Sequence, residues 1–512
     1  MTTITRPLAL LAFIAAPLAA TLGSPVRAQD DALDVASIRS TPKDLTEYAR
    51  PTDPGDWAFG RIHPKVFLRD VVVSNTDLTL TNTDVANDGE LSIAVNPANH
   101  DEIVITSFAA PWGANAPLWH STDGGATWTK RFTIPRPPGD NGTLGCPCDQ
   151  TVDWARDNAL SGTFLSFNPT NVYTGMTTDP TNAAAWNWLV VAGSAERTNQ
   201  VALNVADQPW LLVNRDPSNP GQDNLYVAYD DFSGAPDMRV AVSFGTLPPE
   251  FATDVRTGFS TGFVNPGHRL AGDAHTGAMY SIWQRRIAPG AGGSKNIDYM
   301  LNRSTDAGLT WPLGGGNGIV VANGDSTQPT PKFGTVNALL GGVLHATVHK
   351  QTGDLYYVYG KRDAITGNNR LAIRRLTTDR QDNLTIGDEV FVTGQVQAAL
   401  PSVTVTPNGE IGVFYYTFDG MSAPAGGFPI FTAHIAISAD AGASFTDTPL
   451  LTFQSSARSS SNPRQRVLGD YMQLKAAGGT FFGAFTANGV PFGRPFANHD
   501  PIFFKVQATG PG

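Results

Sequence analysis

Apolar and polar positions along this chain recur in a fixed order: an apolar run, a turn rich in Gly, Asn, Pro and Asp, then a second β-rich run carrying aromatics. The first instance is residues 91–95, a turn at 96–101 and residues 102–106. The pattern returns at 151–155 with 162–167, 209–213 with 224–229, 269–271 with 278–283, 345–348 with 355–359, 402–405 with 411–416, and 471–475 with 480–485. Short runs of this kind between turn residues predict strands, and their repetition predicts one supersecondary unit used seven times. First strands stand 57 to 76 residues apart, beyond the roughly 40 to 50 of compact propeller repeats, which leaves room for long loops.

Two further strand-like runs complete a unit, as at 117–121 and 128–133. Four antiparallel strands make a blade, and radial packing of blades buries both sheet faces while protecting the edges. The expectation is an all-β propeller of four-stranded antiparallel blades, with seven favoured over six. The last unit has only three strand-like runs, 471–475, 480–485 and 502–506. Its missing outer strand is expected from residues 69–74, so that the N-terminal strand closes the ring.

Composition agrees: 52 Gly and 37 Pro among 512 residues, with only 16% charged, suit many short strands and turns rather than long charged helices. No linker or charge block divides the chain, so one large domain is expected over residues 69–512. Residues 1–28 have the features of an export signal: Arg6, an apolar stretch at 8–22, and Val26-Arg27-Ala28 before Gln29. That stretch is short for a spanning helix and contains Pro17. Residues 29–68 are then an N-terminal extension, and the expected location is secreted or periplasmic, with no stable membrane anchor after cleavage. The formal charge of -10 argues against a nucleic-acid or anionic-membrane partner. The only cysteines form Cys146-Pro147-Cys148, too few to frame a fold of this size; a local disulfide or thiol pair is expected ahead of a soft-metal site shared with His268, His345 or His499. No cofactor or metal is expected.

Three copies of a short motif punctuate the units: Ser121-Thr122-Asp123-Gly124-Gly125-Ala126-Thr127-Trp128, Ser304-Thr305-Asp306-Ala307-Gly308-Leu309-Thr310-Trp311, and Ser438-Ala439-Asp440-Ala441-Gly442-Ala443-Ser444-Phe445. Asp accepting backbone N–H bonds, Gly supplying positive φ and an aromatic staple suit a tight hairpin. Ser-x-Asp-x-Gly-x-Thr/Ser-aromatic matches the Asp box, or bacterial neuraminidase repeat, and the chain therefore resembles the sialidase superfamily of β-propellers. The family's sialidase domain has six blades, from which the count of seven units departs. The box is a structural turn in this superfamily, so it speaks for fold rather than chemistry.

In a blade of strands A to D, counted from the axis, the A–B and C–D hairpins share one face; B–C loops and D–A links share the other. The boxes fall at C–D, so a pocket is expected on the opposite face. Residues flanking that face include Asp88, Glu90, Asp149, Gln150, Asp207, Gln208, Asp230, Asp231, His268, Arg269, Arg285, Arg286, Arg362, Tyr416, Arg464, Arg466, Asp470, Tyr471 and His499. Arg residues around a funnel suit a carboxylate-bearing sugar, because guanidinium binds carboxylate through two parallel hydrogen bonds.

The resemblance implies three Arg on a substrate carboxylate, an Asp acid/base, and a Tyr nucleophile assisted by Glu, an exception to the usual two-carboxylate scheme. Arg61, in Phe59-Gly60-Arg61-Ile62-His63-Pro64, is nearest to the family's first Arg motif, which it matches only with insertions. Glu90 is the Glu that falls clearly at a pocket-facing position. Candidate catalytic residues are thus Asp230, Tyr471, Asp470 and Glu90, and candidate substrate-binding residues Arg61, Arg285, Arg362, Arg464 and Arg466. Asp230-Asp231 also fits a solvated turn or a cation site, and residues 314–318 read as a plain glycine-rich loop. The expected activity is an exported sialidase-like glycoside hydrolase acting on an acidic glycan. A propeller lyase acting on uronic acids and a non-catalytic propeller binding a glycan or protein remain the alternatives.

Overall fold

The computed structural model describes residues 45–46, 66–72 and 88–508, apart from 109–111, 113–115, 138–146, 167–170, 189–205, 261–266, 290–294, 327–343, 381–382, 393, 395–396, 425, 457–467, 494–495 and 497–498. Seven antiparallel sheets follow one another in a ring, six of them running outward in chain order. Their inner strands are Gly89–Val95, Cys148–Trp154, Ala206–Arg215, Arg269–Gly272, His345–Val348, Ala398–Val405 and Gln473–Ala477. Helix is confined, among the described residues, to three short 3₁₀ turns. This is a seven-bladed β-propeller.

Chain closure joins the two ends of the sequence. In the seventh blade, Gln473–Ala477, Thr480–Ala487 and Asp500–Gln507 are completed by Val66–Asp70, in register from Val66↔Val506 to Asp70↔Ile502. Alternation explains the choice: Val66, Leu68 and Asp70 are buried while Phe67 and Arg69 are partly exposed. The closing strand therefore begins three residues before the expected 69–74, and Val71 and Val72 are buried in the turn that follows it. Leu45–Thr46 adds a short fifth strand outside it.

The three Ser-x-Asp-x-Gly motifs each join the third strand of a blade to its fourth, in blades one, four and six. Their geometry repeats closely. Ser121, Ser304 and Ser438 donate to their Asp Oδ1 at 2.7–2.8 Å, while the N–H of Thr127, Thr310 and Ser444 donates to the same oxygen at 2.9 Å. Trp128 packs edge-on against Phe503 of the closing blade, with centroids 5.2 Å apart. Gly125 has φ +85, and a Cβ there would stand 2.1 Å from the Phe503 ring, so both backbone and space require glycine.

Inner strands are tied to one another by side chains. Ser92 Oγ accepts the Val152 N–H at 2.9 Å, Thr151 Oγ1 the Leu211 N–H at 2.8 Å, Ser402 Oγ the Leu474 N–H at 3.0 Å, and Gln473 Oε1 the Ile93 N–H at 3.1 Å. An inner strand has an unpaired edge facing the axis, and each of these bonds satisfies one of its N–H groups from the neighbouring blade. Ser92, Thr151, Trp210 and Arg269 stand 59 residues apart in sequence. They occupy one equivalent position in four consecutive blades, yet only the first two are tying hydroxyls.

Candidate functional site at one end of the ring axis

Immediately before that position, the backbone turns left-handed. Glu90 (φ 53), Asp149 (φ 45), Gln208 (φ 47) and Gly267 (φ 59) are again 59 residues apart, Leu400 (φ 55) is the counterpart in blade six, and Gly469 (φ 119) precedes the inner strand of blade seven. Between the flanking residues the inner ladders of blades one, two, three and six slip register, the mark of a β-bulge. Glycine takes such φ freely, whereas four non-glycine residues here carry a conformational cost. All lie at the entry of the inner strands, on the face opposite the Asp turns.

Five carboxylic acids gather there. Asp207 and Asp230 are direct cross-strand partners in the third blade. Asp149 enters from the second blade and shares a hydrogen bond with Asp207. Glu90 of the first blade accepts the Asp470 N–H of the seventh at 3.2 Å through Oε1. The Asp230 side chain is wholly buried, with the backbone N–H of His268 turned toward its carboxyl. Burial pushes its carboxyl well above the usual carboxylate range, and the Asp207 charge adds to this while Arg269 opposes it. Asp207 is raised in the same way, first by burial and then by Asp149.

Among the described residues, one guanidinium sits amid these acids. Arg269 is 1% exposed and lies over the rings of Trp210 at 4.5 Å and Tyr471 at 5.1 Å. Its Nη2 donates to Gln208 Oε1 at 3.0 Å and its Nη1 to the His268 carbonyl at 2.8 Å. Burial pulls its pKa down while Tyr471, Asp230, Asp149 and Asp470 push it back up. His268 is neutral, its pKa lowered by burial to about 3. Because a carbonyl can only accept, Nδ1–H donates to the Tyr229 carbonyl at 3.2 Å, leaving Nε2 to accept from Ser281 at 2.7 Å. Trp210 also meets His345 edge-on at 5.6 Å. Beyond this layer, toward the Asp-turn face, lies a cavity of about 150 Å³ bordered by Leu212, Ala271, Thr347, Thr404 and Lys475.

The structure thus places Glu90, Asp230, Asp470 and Tyr471 in one cluster. The Tyr471 hydroxyl donates to the Gln150 carbonyl at 3.0 Å, and Gln150 Nε2 donates to the Glu90 carbonyl at 2.8 Å. Arg285 instead pairs with Asp298 on the adjoining strand at 2.8 Å, and Arg362 Nε donates to the Gly367 carbonyl in its own hairpin at 3.1 Å. Arg61, Arg464 and Arg466 lie outside the described residues, as do residues 1–28. Asp231 accepts the Ser233 N–H at 2.8 Å, as a turn residue does. Cys148 is disulfide-bonded, and the chain has one other cysteine, Cys146. Among the described residues, no group of three or more His, Cys, Asp or Glu is arranged to hold a metal ion.

Arg269, Asp149 and Asp207 were legible as face residues but not as its centre, and Trp210 reads as a strand residue. The signal that singles them out is the 59-residue spacing, which lays Trp210 and Arg269 over Ser92 and Thr151.

No protein-family model matches the chain, and no curated protein matches it in sequence. Among solved structures it is similar to a protein of unknown function from Dyadobacter fermentans (12% identity, 86% of this chain and 99% of that one, TM-score 0.42). It is also similar to the GH93 α-L-arabinofuranosidase of Fusarium graminearum (13% identity, 71% and 93%, TM-score 0.41). The NanB sialidase of Streptococcus pneumoniae matches at 11% identity over 66% of this chain and 54% of that one, with a TM-score of 0.34. Likeness this loose transfers neither a site nor a reaction.

Proposed function

We propose that this propeller is a glycoside hydrolase whose chemistry is carried by the axial carboxylate cluster. The observation that supports this most directly is the Asp149–Asp207 pair: burial and the neighbouring Asp149 carboxyl, to which it is hydrogen-bonded, raise Asp207 well above the usual carboxylate range and favour its protonated form. Glycoside cleavage needs such an acid, to protonate the leaving oxygen, and a second carboxylate to stabilise or attack the developing cation. Asp207, partly exposed, is the acid in this reading, and Asp470, from the seventh blade, the second carboxyl. Arg269 is a positioning residue that fixes Trp210, Tyr471 and the Gln208 amide around the acids.

Among the described residues, five acids gather about one guanidinium, a poor receptor for an anionic sugar, because a substrate carboxylate would add like charge to a buried acidic site. The balance of charge therefore favours a glycan without a carboxylate over the acidic glycan expected from the family resemblance. Action outside the cytoplasm is supported by the leader-like residues 1–28 and the disulfide at Cys148. Asp207→Asn tests the assignment of the acid. Turnover on a panel of aryl glycosides and oligosaccharides should fall by about two to four orders of magnitude with melting temperature retained; unchanged turnover per folded molecule would reject it.

A further inference from the structure

We infer that the cavity behind the Trp210–Arg269 layer is a site for a small inorganic anion of halide size, held by Lys475, His345 and Gln473. All three side chains border the cavity, and each has donors, not acceptors, left to offer there. His345 Nδ1 accepts the Val403 N–H at 3.1 Å, which puts the proton of the neutral ring on Nε2. The ring is neutral because burial, and after it the charges of Arg269 and Lys475, lower its pKa to about 3. Gln473 Oε1 accepts the Ser92 hydroxyl at 2.7 Å and the Ile93 N–H at 3.1 Å, so its amide has the two N–H of Nε2 to give elsewhere. Lys475 Nζ bonds to Asp153 Oδ1 at 3.0 Å, a contact that uses one of the three N–H of an ammonium.

The rest of the described border adds the hydroxyls of Thr347 and Thr404 and is otherwise apolar or glycine, with no carboxylic acid in it. Asp153 lies outside that border, and its Oδ2 accepts the Val213 N–H at 2.9 Å. His345, Thr347, Thr404 and Lys475 keep partial exposure although they stand on inner strands, as the wall of an internal space does. A metal cation finds no ligand in such a wall, because the His345 lone pair is engaged by Val403 and no carboxylate borders the space. Water fits, at about 30 Å³ per molecule, but brings two donors of its own to a wall that already offers donors. An anion only accepts, and its bonds to an ammonium, an imidazole N–H and an amide are charge-assisted. Its place gives it a part in the layer above: His345 meets Trp210 edge-on at 5.6 Å, and Arg269 lies over Trp210 at 4.5 Å. An anion on His345 Nε2 therefore braces the aromatic floor of the axial site from behind.

Bromide tests this, because it replaces chloride and scatters anomalously. Crystals of the intact protein grown in molar bromide should show an anomalous peak in contact with Lys475 Nζ, His345 Nε2 and Gln473 Nε2. In solution, the melting temperature should climb as chloride replaces bulky gluconate at constant ionic strength, and level off as the site fills, since a ligand bound by the folded state alone stabilises it. Gln473→Glu keeps an oxygen for Ser92 and Ile93 but sets a carboxylate where the amide donor stood. The chloride concentration at half-saturation should then rise about tenfold or more, while the variant stays folded. A cavity without anomalous signal in molar bromide, or an equal chloride response in wild type and Gln473→Glu, would overturn the inference. Should Gln473→Glu fail to fold, Lys475→Gln takes its place in the titration with the same expectation, and the bromide peak in wild type decides without either variant.

Discussion

Ser92 and Thr151 in blades one and two occupy the same inner-strand position as Trp210 and Arg269 in blades three and four, but the two pairs serve different ends. The hydroxyls are small and each accepts one N–H from the next blade, as Ser402 does in blade six. Trp210 and Arg269 stack on each other and on Tyr471 across the axis. One backbone position therefore serves closure in one arc of the ring and a polar, aromatic-lined site in the other. Equivalent geometry with unequal chemistry is what separates a candidate site from the scaffold that repeats around it.

Three substitutions sharpen that contrast. The largest effect is expected from Arg269→Leu, which leaves the surrounding acids without their cation: unfolding should show a loss of about 3–5 kcal/mol, the range for breaking a buried charge arrangement by removing one partner. A loss below about 1 kcal/mol would mean that the acids are neutral without it. Next, Ser402→Ala strands the buried Leu474 N–H and should cost about 1–3 kcal/mol, with turnover per folded molecule unchanged. A fall in turnover would place the tying arc within the site. The smallest effect belongs to Asp306→Ala, which removes the acceptor of the Thr310 N–H and hydroxyl in a part-exposed turn. About 1 kcal/mol is expected, again without change in turnover.

The repeat, the number of blades and the ring closure were all legible in the sequence, because apolar runs and turn residues recur with the structure's own period. The closing strand was placed three residues late: the run Val71-Val72-Val73 looks more strand-like than Val66–Asp70, whose alternation is weaker to the eye. Topology alone assigned Glu90, Asp230, Asp470 and Tyr471 to one face. Their mutual approach, and the place of Arg269 between them, depend on left-handed bulges at Glu90, Asp149 and Gln208. Glu and Gln as residue types do not announce positive φ, and an Asp before a strand is no specific sign of it. Arg285 and Arg362 flank the same strand ends, but pairing across adjacent strands or within a hairpin is decided by cross-strand register.

The pH dependence of turnover in wild type and Asp149→Asn tests the central claim most directly. Asn tolerates the left-handed backbone at this position, so the fold should be retained. In wild type the alkaline limb should lie well above the ordinary carboxylate pKa of about 4, because Asp207 is held protonated by burial and by Asp149. Removing the Asp149 charge lowers the Asp207 pKa, and the limb should move toward lower pH with the melting temperature preserved. A limb that stays in place, or a loss of stability with the turnover of folded protein unchanged at every pH, would contradict the account and leave the acids as part of the scaffold.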